Sequence, residues 1–276
     1  MQYHPVPDDD ATLTLNAGDV ALTIHPDAGC RIGQIFVAGQ PLFVDVAEVS
    51  HPMTWGSFPM APWVGRIRNG RFTFEGVDHQ LDINHHDGDG PDRAHAIHGL
   101  VFDRPWVHDV AVHDVSDTSC MATRGLDWEF GGLVTQTIEL HPDRVEITLT
   151  IESTGQAFPA ELGWHPWFRK PDRLEFSPTA MYERDEFGIP TGALVEPTEG
   201  PWDDCFVNAE PVVLHYDRAL TPSVRVESGC THWVVYDLPT HSTCVEPQSG
   251  PPDAFNLHPH VVDANTPLHR TMTISW

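Results

Sequence analysis

The chain has 276 residues, of which 15 are basic and 40 acidic, for a formal net charge of −25. A surface this acidic repels phosphate backbones and anionic lipid, so neither nucleic acid nor membrane is expected as a partner. It also gives no help in drawing in phosphorylated substrates unless a local arginine cluster overrides it. No run approaches the ~18 apolar residues of a membrane span, and the polar segment from Met1 to Asp10 lacks an apolar signal core. The expectation is a soluble, cytoplasmic protein, with residues 1–276 forming one domain. Cys30, Cys120, Cys205, Cys230 and Cys244 are odd in number and widely spaced, so they read as reduced, mostly buried thiols. Lys170 is the sole lysine, which makes Schiff-base chemistry improbable.

With 21 Gly and 25 Pro in the chain, apolar runs of helical period are missing and short alternating runs replace them. In chain order they fall at Thr12–Leu15, Val20–Ile24, Ile32–Val37, Arg71–Phe74 and Val107–Val112. Two further runs, Thr135–Leu140 and Val145–Ile151, joined through His141-Pro142-Asp143, read as an antiparallel hairpin with one wet face. Val212–Leu214, Val224–Val226, Trp233–Tyr236, Ser242–Val245 and Met272–Ile274 complete the series. Many short strands with Gly/Pro punctuation indicate a β-sandwich or barrel and argue against βαβ units. There is no internal repeat and no Gly/Ser-rich linker. The acidic, histidine-rich stretch His85–His98 is the most loop-like segment.

Several signatures are missing. The chain has no GxxxxGK[ST], no GxGxxG after a strand, no HExxH and no GxSxG. Nucleotide-dependent phosphoryl transfer, hydride transfer and serine-hydrolase chemistry lose their usual marks.

Four segments could carry chemistry. In Phe58–Phe72, Arg66 and Arg68 share a face by strand alternation, and Arg71 lies past the Asn69-Gly70 turn; any of the three could hold substrate hydroxyls. His98 precedes Gly99, which allows close backbone approach to a ligand. His165 stands between Trp164 and Trp167, held extended by Pro166. Indole faces suit the C–H side of a pyranose, and an imidazole suits its oxygens; the alternative is two core tryptophans and a histidine that merely bonds a carbonyl. Glu246 ends the Ser242–Val245 strand and enters a Pro-rich loop, as a general base or as an ion-pair partner. A metal reading rests on His85, His86, Asp87, Asp89, Asp92, His95 and His98, against which stands the irregular, Gly/Pro-rich character of the segment.

Taken together, these elements resemble the aldose 1-epimerase (galactose mutarotase) family. The order along the chain matches: P-x-x-x-R-I-x-x-G-x-F at Pro62–Phe72, the run from Gly76 to Asn84, H-G at His98, H-P-W-F from His165, Asp-Asp-Cys-Phe from Asp203, and E-P-Q from Glu246 with a downstream P-D-A-F-N. The resemblance implies a large antiparallel β-sandwich, the galactose mutarotase-like supersandwich. It implies Glu246 as general base, His165 as general acid, His98 as a supporting histidine, and Arg66 and Asp203 as sugar-binding residues, with Arg68, Arg71 and Asp204 as fallbacks. Trp164 and Trp167 join the substrate-binding set. The sequence departs from the commoner pattern at Trp167, where Tyr is usual, and at Gly65, where Asn commonly precedes the arginine.

The reaction so implied is interconversion of the α and β anomers of a free hexose, with no metal and no other cofactor. Glu246 takes the C1 hydroxyl proton while His165, kept protonated near its reference value of about 6.5 by a nearby carboxylate, protonates the ring oxygen. Rival readings are a hexose-6-phosphate epimerase, a non-catalytic carbohydrate-binding or regulatory protein, and a metal-dependent isomerase built on His85–His98. The small-molecule sugar is the expected partner, and the assembly a monomer or weak homodimer.

Overall fold

The computed structural model describes residues 12–49, 51–88, 90, 93–109, 118–217 and 223–276. Alternation in the sequence becomes strand with one buried face. Along Arg144–Glu152, Val145, Ile147, Leu149 and Ile151 are fully buried while Glu146, Thr148 and Thr150 stay half-exposed. This strand pairs antiparallel with Leu133–Leu140, Leu140 opposite Val145, and the His141 amide donates to the Arg144 carbonyl across the expected turn.

Two large sheets are built this way. One has eleven strands, running in space through Leu13–Ala17, Val20–His25, Arg31–Val37, Ser57–Met60, Gly163–Arg169, Ser242–Gln248, His232–Tyr236, Asp203–Val207, Ala180–Arg184 and Pro190–Val195, with Gln40–Pro41 beside the third. The other has eight: Val107–Asp109, Ser119–Gly125, Leu133–Leu140, Arg144–Glu152, Leu268–Ser275, Ser223–Ser228, Val212–His215 and Arg173–Glu175. Their inner faces meet in one continuous core, where Leu15, Leu22, Ile24 and Ile35 from the first sheet pack with Val134, Ile138, Ile147 and Leu149 from the second. Burial of these aliphatic faces, at about 25 cal/mol per Å² of apolar surface, drives the association. Strand pairs among the described residues are antiparallel. The fold is therefore an all-β antiparallel sandwich, and helical structure among the described residues is confined to short 3-10 turns such as Pro26–Ala28. None of these is long and apolar enough to cross a membrane.

Two differences from the sequence reading bear on the site. The strand expected to stop at Val245 continues through Glu246 and Pro247 to Gln248. Pro247 lies opposite Trp233 and leaves the ladder one backbone donor short. The His85–His98 stretch is more regular than its composition suggests: His85–His86 and Ala94–Ile97 join Arg66–Ile67 in a small three-stranded sheet. Val107 begins a strand that runs to Asp109, and residues 110–112 lie outside the described residues.

The central strands of the larger sheet, Ser57–Met60 among them, lose the wet face that the other sheet keeps. Gly163–Phe168 and Ser242–Gln248 are buried on both faces. Outside them lie the small sheet and the segments that surround a cleft.

Candidate active site

Gly163 lies opposite Gln248 and Trp167 opposite Cys244 on these central strands, and the same register carried between them sets His165 opposite Glu246. Backbone pairing lapses between those two anchor pairs. Each strand has a proline in the gap, Pro166 and Pro247, and neither has an N–H to donate to the ladder. On its other edge, the His165 strand pairs with Ser57–Met60, with Phe58 opposite His165.

Strand alternation then divides the aromatic cluster. His165 and Trp167 face the cleft. Trp164 points the other way, into the sandwich core, where its Nε1 donates to Gln136 Oε1 at 3.3 Å. The expectation that Trp164 touches substrate is corrected here, since successive residues of a strand face opposite sides. The faces flanking His165 are instead Phe58, stacked at 4.8 Å, and Trp167, stacked at 5.3 Å with a 9° interplanar angle.

The cleft has a volume of about 290 Å³ and brings together Arg66, His98, His165, Trp167, Asp203 and Glu246. At its floor, His165 Nε2 stands 3.3 Å from Glu246 Oε1. Gln248 Nε2 donates to the other carboxylate oxygen at 3.1 Å. His98 meets the His165 ring edge-on at 5.0 Å, and its backbone sits in the left-handed region at φ 61°. Gly99 has a different use from the one expected. A Cβ there would lie 2.0 Å from the Ala61 carbonyl oxygen, so the glycine admits neighbouring backbone and not a ligand. Gly65, at φ 54°, is required for a similar reason, because a Cβ would meet Pro252 at 2.7 Å. It places Arg66 at the cleft wall.

Electrostatics at the floor run opposite to the sequence expectation. Burial pushes the Glu246 carboxyl well above the usual carboxylate range, and nearby Asp203 adds to the rise. Burial, together with the positive charge of Arg31, takes the His165 imidazole down to about 3. Arg31 is the far end of a ring stack. It is buried, its guanidinium lies 4.2 Å from the Trp55 ring and 4.7 Å from the Phe58 ring, and Nη1 donates to the Trp55 carbonyl at 2.9 Å. Phe58 thus separates a buried cation from the imidazole. A protonated His165 beside the carboxylate was expected; burial instead favours neutral imidazole and neutral carboxyl, because two buried charges cost more than their attraction returns.

The walls are charged but internally paired. Arg66 forms a two-pronged contact with Asp87, Nε to Oδ2 at 2.8 Å and Nη2 to Oδ1 at 3.1 Å. Burial raises the Asp87 carboxyl, yet the Arg66 fork and His85 outweigh it and hold it below its ordinary value. Across the cleft, Arg184 Nε meets Asp204 at 2.8 Å and its Nη1 lies 3.7 Å from Asp203. Asp203 is pushed up by burial, against the pull of Arg66 and Arg184. Of the three clustered arginines, Arg66 alone lines the cleft: Arg68 pairs with Asp185 at 2.6 Å, and Arg71 bonds Gln80 on the exposed hairpin.

The histidine-rich segment does not gather as a metal centre among the described residues. Asp87 is shared by His85 at 2.6 Å and His95 at 3.7 Å and is already engaged by Arg66; Asp89 and Asp92 lie outside the described residues. Sequence reasoning missed Arg184 and Tyr236, which line the cleft, and Arg31. No local pattern marks the first two, since sheet order brings them in. Arg31 had a signal: a lone cation opening the Arg31–Val37 strand, nearly all of which is buried.

Comparison with known proteins agrees with the fold. A family model described as aldose 1-epimerase matches residues 12–271. The uncharacterized protein YihR of Escherichia coli K12 is 26% identical, the match covering 89% of this chain and 86% of that protein. Among solved structures, a candidate aldose 1-epimerase of Escherichia coli K12 superposes with a TM-score of 0.79 at 18% identity, covering 96% of this chain and 98% of that one. The galactose 1-epimerase of Lactobacillus acidophilus NCFM gives 0.76 at 15% identity, covering 98% and 96%.

Proposed function

This chain belongs to the aldose 1-epimerase family, and from that premise we propose that it interconverts the α and β anomers of a free hexose by acid–base ring opening and closure. The observation that carries the reading is the His165–Glu246 pair, 3.3 Å apart at the floor of a sugar-sized cleft. Opening the ring needs one group to accept the C1 hydroxyl proton and another to protonate the ring oxygen. A pair that holds one proton between two basic sites supplies both. With Glu246 as base and His165 as acid, the proton passes to His165 as the sugar binds, because sugar hydroxyls donating to the carboxylate stabilise its charged form. Rotation about C1–C2 then presents the other carbonyl face, and the roles reverse on closure.

Trp167 offers an apolar face beside the pair, and Arg66, Asp203 and His98 supply donors and acceptors for hydroxyls. Arg66 and Arg184 are each matched by a carboxylate, which favours an uncharged sugar over a phosphorylated one. No metal or other cofactor is required by these steps. The chain works as one domain, monomeric or weakly dimeric, in the cytoplasm.

Polarimetry of freshly dissolved α-D-glucose and α-D-galactose, with EDTA present, tests the reading. Accelerated relaxation to the same final rotation is expected, and Glu246→Gln should abolish it with the fold intact. Failure on both sugars, or more than a few per cent of the rate in Glu246→Gln, would remove the assignment.

A further inference from the structure

Cys244 sits two residues before Glu246 and therefore on the same side of the strand. One ligand atom each from His165, Cys244 and Glu246 lie within 4.8 Å of one another, and all three residues are buried. We propose that these three residues form a capture site for a borderline or soft divalent cation, zinc or cadmium, which blocks the cleft floor and inhibits the enzyme. The blocking role rests on the function proposed above; the binding does not.

The geometry suits the ion. Tetrahedral ligands at the ~2.0–2.2 Å typical of zinc–nitrogen and zinc–oxygen bonds stand about 3.3–3.5 Å apart. His165 Nε2 and Glu246 Oε1 are already at 3.3 Å. Zinc–sulfur bonds of ~2.3 Å place the third ligand slightly farther out, within reach of a rotation of the Cys244 side chain. The fourth position faces the cleft, where a sugar hydroxyl or water completes the shell. Nitrogen, sulfur and oxygen together select zinc and cadmium over magnesium or calcium, which prefer all-oxygen shells. Coordination sends the thiol proton, and the proton held by the pair, to solvent.

The supporting contacts point to reversible capture and not to a resident metal. A ligating histidine ordinarily donates its other ring nitrogen to an acceptor, whereas buried His165 Nδ1 has no hydrogen-bond partner among the described residues. The cation then competes with substrate for the pair that the reaction uses.

Cadmium titration of the intact protein, without sugar, tests binding by the sulfur-to-metal charge-transfer absorption. The expected result is one equivalent per chain, with the band lost in Cys244→Ala and kept in Cys205→Ala, a buried thiol that lines the cleft. Zinc should inhibit the wild type, and Cys244→Ala should need at least ~10-fold more metal, the usual scale for a lost ligand contact. Should Cys244→Ala fold poorly, Glu246→Gln should weaken cadmium binding by a similar factor. A missing band, a band that survives Cys244→Ala, or cadmium affinity unchanged in Glu246→Gln would overturn the site. Binding without sugar turnover would leave the site standing and remove the proposed function instead.

Discussion

The two sheets of the sandwich are built from the same kind of strand but differ in what their outer faces do. In the eight-stranded sheet, Leu133–Leu140 and Arg144–Glu152 alternate buried and half-exposed residues throughout, so one face is core and the other meets water. In the eleven-stranded sheet, Gly163–Phe168 and Ser242–Gln248 are buried on both sides, and the second face holds His165, Gln248 and Glu246. A sheet face that is covered yet polar is expensive to form. The protein keeps it where backbone pairing lapses beside Pro166 and Pro247. The proposed site lies where the alternation of polarity persists along Ser242–Gln248 but the exposure that should accompany it is missing.

Breaking the polar face should give the largest effect. His165→Asn and Glu246→Gln are each expected to slow anomer exchange by ~10²–10⁴-fold with the fold retained. A wild-type rate in either would show that the covered face only packs.

The aromatic pair on one strand sharpens the comparison. Trp164→Ala empties a core site and should cost about 3–5 kcal/mol in denaturant unfolding, with the rate per folded molecule preserved. Trp167→Leu should instead raise KM at a smaller loss of stability. The reverse pattern would mean that the two faces of this strand are exchanged in solution.

The pH dependence follows from the shifted pair. His165 is lowered to about 3 and Glu246 raised well above its ordinary value, so the pair keeps a single proton in the window between them. The profile of kcat/KM should be flat through pH 6.5, and its acid limb should lie well below the usual imidazole value. An acid limb near 6.5 would show that His165 is solvated. Stability gives a second reading. Because the folded Glu246 pKa is raised, its contribution is full below the unfolded value and declines as pH rises toward the folded one. Glu246→Gln removes that decline, so it should stabilise the protein at pH 7–8, by ~1.4 kcal/mol for each unit of the shift that lies within range. Below pH 4.5 the gain should vanish.

The smallest effect belongs to the wet sheet. Thr148 and Thr271 share a cross-strand hydroxyl bond at 3.0 Å on its half-exposed face. Thr148→Val should change stability by no more than ~0.5 kcal/mol and leave anomer exchange unaltered.

Much of this was legible in the residues themselves. The hairpin at 133–152 follows from strict alternation with a turn between, and Arg71–Phe74 is a strand over the range its pattern implies. His165 and Glu246 stood out through motif order. Trp164 misled, because two tryptophans bracketing a histidine read as one binding surface until the period-two geometry of the strand separates them. The His85–His98 segment misled in the other direction, since turn-forming composition hid two short strands that pair with each other, the second of them also with the more distant Arg66–Ile67.

What the chain determined by itself is local: which runs alternate and where proline removes a backbone donor. Tertiary structure decided the rest, for reasons that local sequence does not encode. Sheet order brought Arg184, Asp203 and Tyr236 to the same cleft as Arg66. Burial lowers the His165 imidazole, and stacking places Arg31 behind Phe58, where its charge adds to that lowering. Burial and electrostatic coupling depend on distances between groups far apart in the chain, and only the folded sandwich fixes those distances.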